Sequence, residues 1–335
     1  MIKVAVVGAG KMGISHLAIL GANPRVDVVG VCDTSKLILD ALYRYGHFPC
    51  YTDFYKMLDQ AQPDAVVIAV PTKFHASMVR ELLKRNIHVF VEKPFCLSIV
   101  EESELILLAQ KKHLINQVGY HNKFLGTFKE VKRLLETKSI GEIYHFHGQA
   151  YGPVVLQPKQ DTWRSKSTEG GGCLMDYASH IIDLINFLIA PIRAVDSSKL
   201  QKIHSTDVED AVYAMVELEN GISGMISVNW SDETYRKMST SITIVGKKGK
   251  IIADANECKV YFKAKDVPFG YSQGWNTKYV TDLTANVQYY LRGEEYTAQM
   301  DYFLDCITNN IPGSINSFRT ASETDNAIFL IREKQ

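Results

Sequence analysis

Ile2-Lys-Val-Ala-Val-Val-Gly8-Ala9-Gly10-Lys11-Met12-Gly13 is an apolar run closed by three glycines, and its order decides the fold. Val4–Val7 reads as a buried parallel strand. Gly8 permits a tight turn, Gly10 lets the backbone approach a pyrophosphate, and Gly13 lets the following helix pack closely on the strand. Phosphates sit well at such a helix N-terminus, where free N–H groups and the helix dipole favour anions. Ala9, Lys11 and Met12 complete the turn and join the glycines as candidate cofactor contacts.

The next apolar run, Val26–Cys32, ends in Asp33, about twenty residues past the last glycine, where a ribose-binding acid belongs. A carboxylate there accepts hydrogen bonds from a ribose 2′-hydroxyl and repels a 2′-phosphate, which favours NAD over NADP. No arginine follows it, and Lys36 is the only nearby cation. The competing reading of Asp33 is a helix cap.

Strand-like and helix-like runs alternate up to about residue 120. The strands are Val4–Val7, Val26–Cys32, Ala65–Val70, His88–Val91 and Asn116–Gly119. Ser98 to Glu101 has capping-box spacing before an amphipathic helix. This alternation predicts an α/β fold with a parallel sheet, its ligand at the strand C-termini. Beyond 120 the pattern changes. Helical stretches at 127–136 and 173–188 accompany alternating runs at 142–150, 211–217, 223–230, 240–245, 250–253 and 259–262. Asn220-Gly221 and Lys247-Lys248-Gly249 read as hairpin turns. We expect residues 1–120 to form a Rossmann domain and 121–335 a C-terminal α/β domain on an open, mostly antiparallel sheet. The loops 151–170 and 264–280 are candidates for substrate contact.

A chain of 335 residues is ample for a real core. Lys plus Arg equals Asp plus Glu at 37 each, which gives no electrostatic case for nucleic acid or a membrane surface. The six cysteines are scattered and none forms Cys-x-x-Cys, so we read them as reduced thiols in a cytoplasmic protein. No signal peptide or membrane span is expected.

Three further segments carry chemistry. Val70-Pro71-Thr72-Lys73-Phe74-His75 closes a parallel strand, with His75 opening the next helix; the plain alternative for His75 is a cap or a solvated histidine. Val91-Glu92-Lys93-Pro94 closes another strand, and a lysine at such a tip can stabilise charge developing on a reacting oxygen. The third segment runs from Glu169 through three glycines to Asp183. Asp176, His180 and Asp183 stand at i, i+4 and i+7, which on an α-helix is one face. A carboxylate one turn from a histidine raises its basicity, making His180 a candidate general base. A solvated polar face is the competing reading. A metal site is disfavoured because the segment offers only one histidine. His145 and His147 alternate on a strand and read as packing or surface residues.

Together these pieces resemble the Gfo/Idh/MocA oxidoreductase family over essentially the whole chain. The family pattern is matched by Gly8/Gly10/Gly13, Pro71/His75, Glu92-Lys93-Pro94, the Trp163-Arg164 pair, and Gly170 to Asp183. The resemblance implies an NAD-dependent enzyme that oxidises a hydroxyl or reduces a ketone on a sugar or cyclitol. It implies Lys93 at the reacting oxygen, His180 as acid/base with Asp183 beside it, and Asp176, Trp163 and Arg164 toward the substrate. Pro71, Thr72, His75, Glu92 and Lys93 join the cofactor contacts. The bond before Pro94 is often cis in the family, and the C-terminal sheet commonly makes a dimer or tetramer interface. One position departs: Gly119-Tyr-His-Asn-Lys123-Phe carries Lys123 where many members have arginine, and lysine lacks the bidentate fork. We retain Lys123 as a candidate substrate contact. Two other functions stay open: a nucleotide-sugar enzyme, with Lys159, Arg164 and Lys166 meeting a diphosphate, and a non-catalytic dinucleotide-binding regulator.

Overall fold

The computed structural model describes residues 1–154, 162–287 and 289–334. Lys159, a candidate diphosphate contact, lies outside them. The first run of elements is β1 (Ile2–Val7), α1 (Lys11–Gly21), β2 (Val26–Cys32), α2 (Lys36–Gly46), β3 (Cys50–Tyr51), α3 (Phe54–Ala61), β4 (Ala65–Ile68), α4 (His75–Lys84), β5 (His88–Val91), α5 (Ile99–Lys111) and β6 (Asn116–Val118). Then come α6 (Gly126–Glu136), β7 (Ile143–Tyr151), α7 (Ser179–Leu188), β8 (Ile192–Gln201), β9 (Ala211–Leu218), β10 (Ser223–Asn229), β11 (Ser239–Gly246), β12 (Gly249–Ala253), β13 (Glu257–Phe262) and β14 (Gly274–Tyr279). The chain closes with α8 (Val280–Leu283), α9 (Glu294–Asn309) and α10 (Phe318–Glu333).

The chain divides into two compact units, residues 1–121 with 286–322, and residues 122–285 with 323–335. In the first, six strands run in the order β3-β2-β1-β4-β5-β6, all parallel. This is the dinucleotide-fold order, with its switch point between β1 and β4. Val4, Ala5 and Val6 are fully buried, as a strand covered on both faces requires. β3 has only two residues and was not anticipated.

The division falls next to the expected boundary at 120 and differs from the expected 121–335 in grouping residues 286–322 with the first unit. Met300, Phe303 and Leu304 of α9 are buried against Val4, Val6, Leu20 and Phe90. Each such side chain contributes about 1.5–3 kcal/mol of burial. Arg25 also pairs with Asp301 and Asp305, and Asn316 donates to the Tyr120 carbonyl at 2.5 Å. The chain therefore returns to the first sheet after finishing the second.

The second unit is built on eight strands in the order β14-β13-β12-β11-β7-β10-β9-β8. Only the β7–β10 pair is parallel. Asn220-Gly221 and Lys247-Lys248 connect antiparallel strands, and Gly221 takes φ +79°. β8 and β14 are added to the expected set, β14 from within the expected 264–280 loop. The inner face carries Phe146, Ala150, Val228, Ile242 and Ile244 against Ile181, Ile182 and Ile185 of α7. At Gly148 the helix comes so close that a Cβ would lie 2.6 Å from Ile181. The other face leaves Tyr144, Met215, Met225 and Trp275 exposed. No helix among the described residues is long and apolar enough to cross a membrane.

Candidate functional site

In the first unit each fingerprint glycine has its own physical reason. Gly8 takes φ +93°, and a Cβ there would lie 2.4 Å from the Ala69 carbonyl oxygen at the end of β4. A Cβ on Gly13 would lie 1.7 Å from the Gly8 oxygen, so α1 can approach β1 only as glycine. A Cβ on Gly10 meets nothing within 4 Å. Its smallness serves no neighbour inside the protein, and that open space fits a cofactor. Gly10 is also the N-cap of α1 and supplies no side-chain cap, so the first turn presents bare N–H groups.

Asp33 reaches back into this turn. Its Oδ2 accepts from the Ala9 N–H at 2.6 Å and its Oδ1 from the Ser35 N–H at 2.8 Å. The N-cap of α2 is Ser35, so Asp33 is not that cap.

His75 opens α4 as expected but is buried rather than solvated. Its Nε2 lies 2.9 Å from the Val70 oxygen, and its Nδ1 3.0 Å from the Pro94 oxygen and 3.2 Å from that of Phe95. Both ring nitrogens thus lie within hydrogen-bond distance of backbone carbonyls, and a neutral ring donates from one of them, beside the end of β4 and the segment after β5. Burial lowers its pKa, outweighing those hydrogen bonds. Thr72 beside it is buried, and Pro71 is exposed.

Glu92 and Lys93 follow β5, and the Lys93–Pro94 bond is cis. Glu92 Oε1 lies 2.6 Å from Nε2 of His16, a fully buried residue of α1. A carboxylate only accepts, so Nε2 donates. Burial pushes the Glu92 carboxyl up, but the His16 hydrogen bond, helped by neighbouring positive charge that includes Lys93, brings its pKa below the usual value. Gly119 backs this group, since a Cβ there would lie 2.9 Å from Glu92 Oε2. His121 stacks on Tyr296 with ring centres 4.6 Å apart, and burial lowers its pKa to about 4, so it is neutral at physiological pH.

The second unit holds the other group. The turn at 170–172 threads beneath residues 164–166: Gly172 N–H donates to the Arg164 oxygen and Gly171 N–H to that of Lys166. A Cβ on Gly171 would strike Arg164, and one on Gly172, at φ +106°, would strike the Glu209 carboxylate. Glu209 Oε1 in turn accepts from the Leu174 N–H at 2.8 Å, capping the helical segment that follows. Arg164 Nε donates to Asp176 Oδ2 at 2.8 Å, and its guanidinium lies over the Trp163 ring. Trp163, Arg164 and Asp176 are thus one group.

The helix expected across 173–188 begins with a π-helical turn, Leu174–Ala178, before α7. That turn does not have the α-helical period, which corrects the inference that Asp176, His180 and Asp183 share one α-helical face. All three are nevertheless buried, among Leu174, Ile181, Ile182, Leu184 and Ile185. The solvated-face reading of this segment is therefore wrong.

Asp183 does not take His180 as its hydrogen-bonding partner. Its Oδ1 lies 2.7 Å from Nζ of Lys123, and Thr324 Oγ1 donates to it at 3.5 Å. Lys123, expected toward substrate, is buried in this pair. Burial pushes the Asp183 carboxyl up to about 6 in spite of the lysine. The sequence reading also missed His16 and Glu209. His16 was signalled by a polar residue on the packed side of α1, and Glu209 by the charged pair Glu209-Asp210 before an apolar strand.

No group of three or more His, Cys, Asp or Glu among the described residues is placed to hold a metal ion, and all six cysteines are free. The glycine turn and Asp33 define the first unit as a dinucleotide-binding domain. Residues 2–120 match the family model described as oxidoreductase family, NAD-binding Rossmann fold, and residues 128–252 match the C-terminal domain of the same family. The chain belongs to the Gfo/Idh/MocA oxidoreductase family. It is 24% identical over 238 residues to D-glucoside 3-dehydrogenase of Escherichia coli K12, covering 66% of this chain and 68% of that one. It is 24% identical over 261 residues to myo-inositol 2-dehydrogenase of Thermotoga maritima, covering 75% of each. Its fold matches that of a levoglucosan dehydrogenase solved with NADH and levoglucosan, with a TM-score of 0.89, 21% identity and coverage of 99% and 96%.

Proposed function

We propose that the protein is an NAD-dependent dehydrogenase acting on a secondary hydroxyl or ketone of a sugar or cyclitol. The observation that carries this reading is the burial of Asp176, His180 and Asp183 in an otherwise apolar helical segment. Buried titratable side chains need partners, here Arg164 for Asp176 and Lys123 for Asp183, and such buried charged groups cluster at functional sites. The glucoside and inositol dehydrogenases to which the chain is similar support a sugar or cyclitol as substrate.

When bound, NAD supplies the hydride acceptor. The protein's residues handle the proton and position the reactants. His180 takes the hydroxyl proton as the C–H bond breaks, and returns it in the reducing direction. Lys93 donates to the oxygen and stabilises its developing negative charge. Asp176, steered by Arg164, holds a neighbouring hydroxyl. Gly10 and the open first turn of α1 receive the pyrophosphate, and Asp33 the ribose. Arg164 is engaged by Asp176, which favours a free sugar over a nucleotide sugar.

We also propose a homo-oligomer built through the outer face of the eight-stranded sheet. There Met215 of β9 stands opposite Met225 of β10, which stands opposite His147 of β7. Exposed methionines in a cross-strand row suit a partner surface. Light scattering should give a dimer or tetramer, and charged substitutions at both methionines should release monomer.

The activity is tested with a panel of sugars, inositols and nucleotide sugars, offered with NAD and with NADP. A sugar or cyclitol that reduces NAD, with turnover lost in His180→Ala and Lys93→Ala while NAD still binds, is the expected result. Bound NAD that no member of the panel reduces would instead mark a dinucleotide-sensing protein.

A further inference from the structure

Lys123 stands where many family members carry arginine, and the natural expectation is that it touches substrate. Its surroundings argue for another task. Lys123 is 3% exposed and Asp183 1%. Lys123 Nζ lies 2.7 Å from Asp183 Oδ1 and 5.6 Å from the centre of the Phe187 ring. Both partners of the ion pair are withdrawn from water. Removing one charge from such a pair leaves the other stranded.

Among the described residues Lys123 is the cation paired with Asp183. Thr324 of α10 contributes a hydroxyl, while Glu323 opposes the carboxylate's charge. Lys132 of α6 is turned to the Phe187 carbonyl, which it reaches at 2.8 Å. From β7 and β11, Phe146, Gly148, Ile242 and Ile244 pack on the α7 side of the sheet. Asp183 Oδ2 is buried with no hydrogen-bond partner among the described residues. His180 stands one turn earlier on α7, at the i, i+3 spacing that makes helix residues neighbours.

We infer that Lys123 is a positioning residue that holds Asp183 as a buried carboxylate one turn from His180, and that it does not contact the sugar. The inference rests on the proposed role of His180 as acid/base. With Lys123 in place Asp183 keeps its negative charge near neutral pH and supports the imidazolium that forms when His180 takes a proton. Without it Asp183 takes up a proton, and His180 loses that support. The single charge of lysine suffices here because only one carboxylate oxygen is engaged.

The test compares wild type with Lys123→Met, Lys123→Arg and the double variant Lys123→Met/Asp183→Asn, whose neutral pair protects folding. The His180 ring is titrated by NMR of histidine-labelled protein, assigned by its loss in His180→Gln. The titration needs no turnover, so it reads the pair even if no sugar is oxidised; a failure of the dehydrogenase reading is thereby kept separate. We expect the ring to titrate lower by about one unit in Lys123→Met and in the double variant, and to return to the wild-type position in Lys123→Arg. With a sugar that turns over, kcat should fall at least tenfold in Lys123→Met with KM little changed. An unmoved His180 titration in folded Lys123→Met or in the double variant overturns the inference. So does a raised KM with kcat intact, which would make Lys123 a substrate ligand.

Discussion

The carboxylate of Asp33 accepts a 2.6 Å hydrogen bond from the Ala9 N–H, joining the acid at the end of β2 to the centre of the glycine turn. One side chain therefore braces the glycine turn, and on the proposed reading the same carboxylate receives the ribose. Asp33→Ala should weaken NAD binding roughly tenfold or more, since hydrogen bonds to a charged group contribute about 1.5–3 kcal/mol. NADP should lose much less, so the preference for NAD narrows. Titration of both cofactors by fluorescence checks this; equal losses would confine Asp33 to a loop brace.

Gly10 and Gly13 separate binding from folding. Gly10→Ala meets no neighbour, so its stability should stay within about 1 kcal/mol of wild type while NAD affinity falls. Gly13→Ala drives a Cβ into the Gly8 carbonyl and should cost about 3 kcal/mol or more. Thermal melts with and without NAD distinguish the two.

The His16–Glu92 pair predicts a particular acid response. Glu92 has a folded pKa below its usual value, so its stabilisation is fully present above the unfolded carboxylate pKa. It is lost as pH falls through the folded pKa. His16→Leu strips the donor from a largely buried carboxylate and should cost about 3 kcal/mol at neutral pH. The gap from wild type should shrink on acidification. Urea titrations at two pH values report it; a gap that does not change with pH would mean packing alone was lost.

Asp210 organises the turn before β9. Its Oδ2 accepts from the N–H groups of Ile203, His204 and Ser205, and its Oδ1 from Ser205 Oγ and Trp230 Nε1. Burial raises its pKa, but these donors prevail and bring it to about 2. Asp210→Ala leaves several donors unmet and should destabilise by about 3 kcal/mol or more in urea unfolding at neutral pH. In wild type this contribution holds above about pH 4 and fades only as the pH approaches the folded value.

Much of this was legible in residue order. The strands of the first sheet that carry full apolar runs, and the roles of the three glycines, follow from spacing because a buried parallel strand and a close-packed helix leave few alternatives. β8 and β14 were not legible. Both are edge strands, and Ile192–Gln201 and Gly274–Tyr279 are largely polar, so neither shows clear alternation. The return of α9 to the first sheet was also hidden, since an amphipathic pattern says that a face is buried but not against which sheet. In the site, neighbours in sequence were read and distant partners were not. Lys123 and Asp183 are sixty positions apart, and His16 and Glu92 seventy-six. The π-helical turn broke the α-helical arithmetic that placed Asp176 on the face of His180.

Hydride transfer moves a hydrogen from the substrate carbon to the nicotinamide, and isotope tracing follows that atom. A sugar or cyclitol that reduces NAD in the panel is prepared with deuterium on the carbon bearing the reactive hydroxyl. It is incubated with the enzyme and NAD, and the cofactor is isolated for mass spectrometry. Deuterium is expected on the nicotinamide ring in wild type, with almost none formed by His180→Ala in the same time. Reduced cofactor without the label, or labelled cofactor formed at the wild-type rate by His180→Ala, would contradict it.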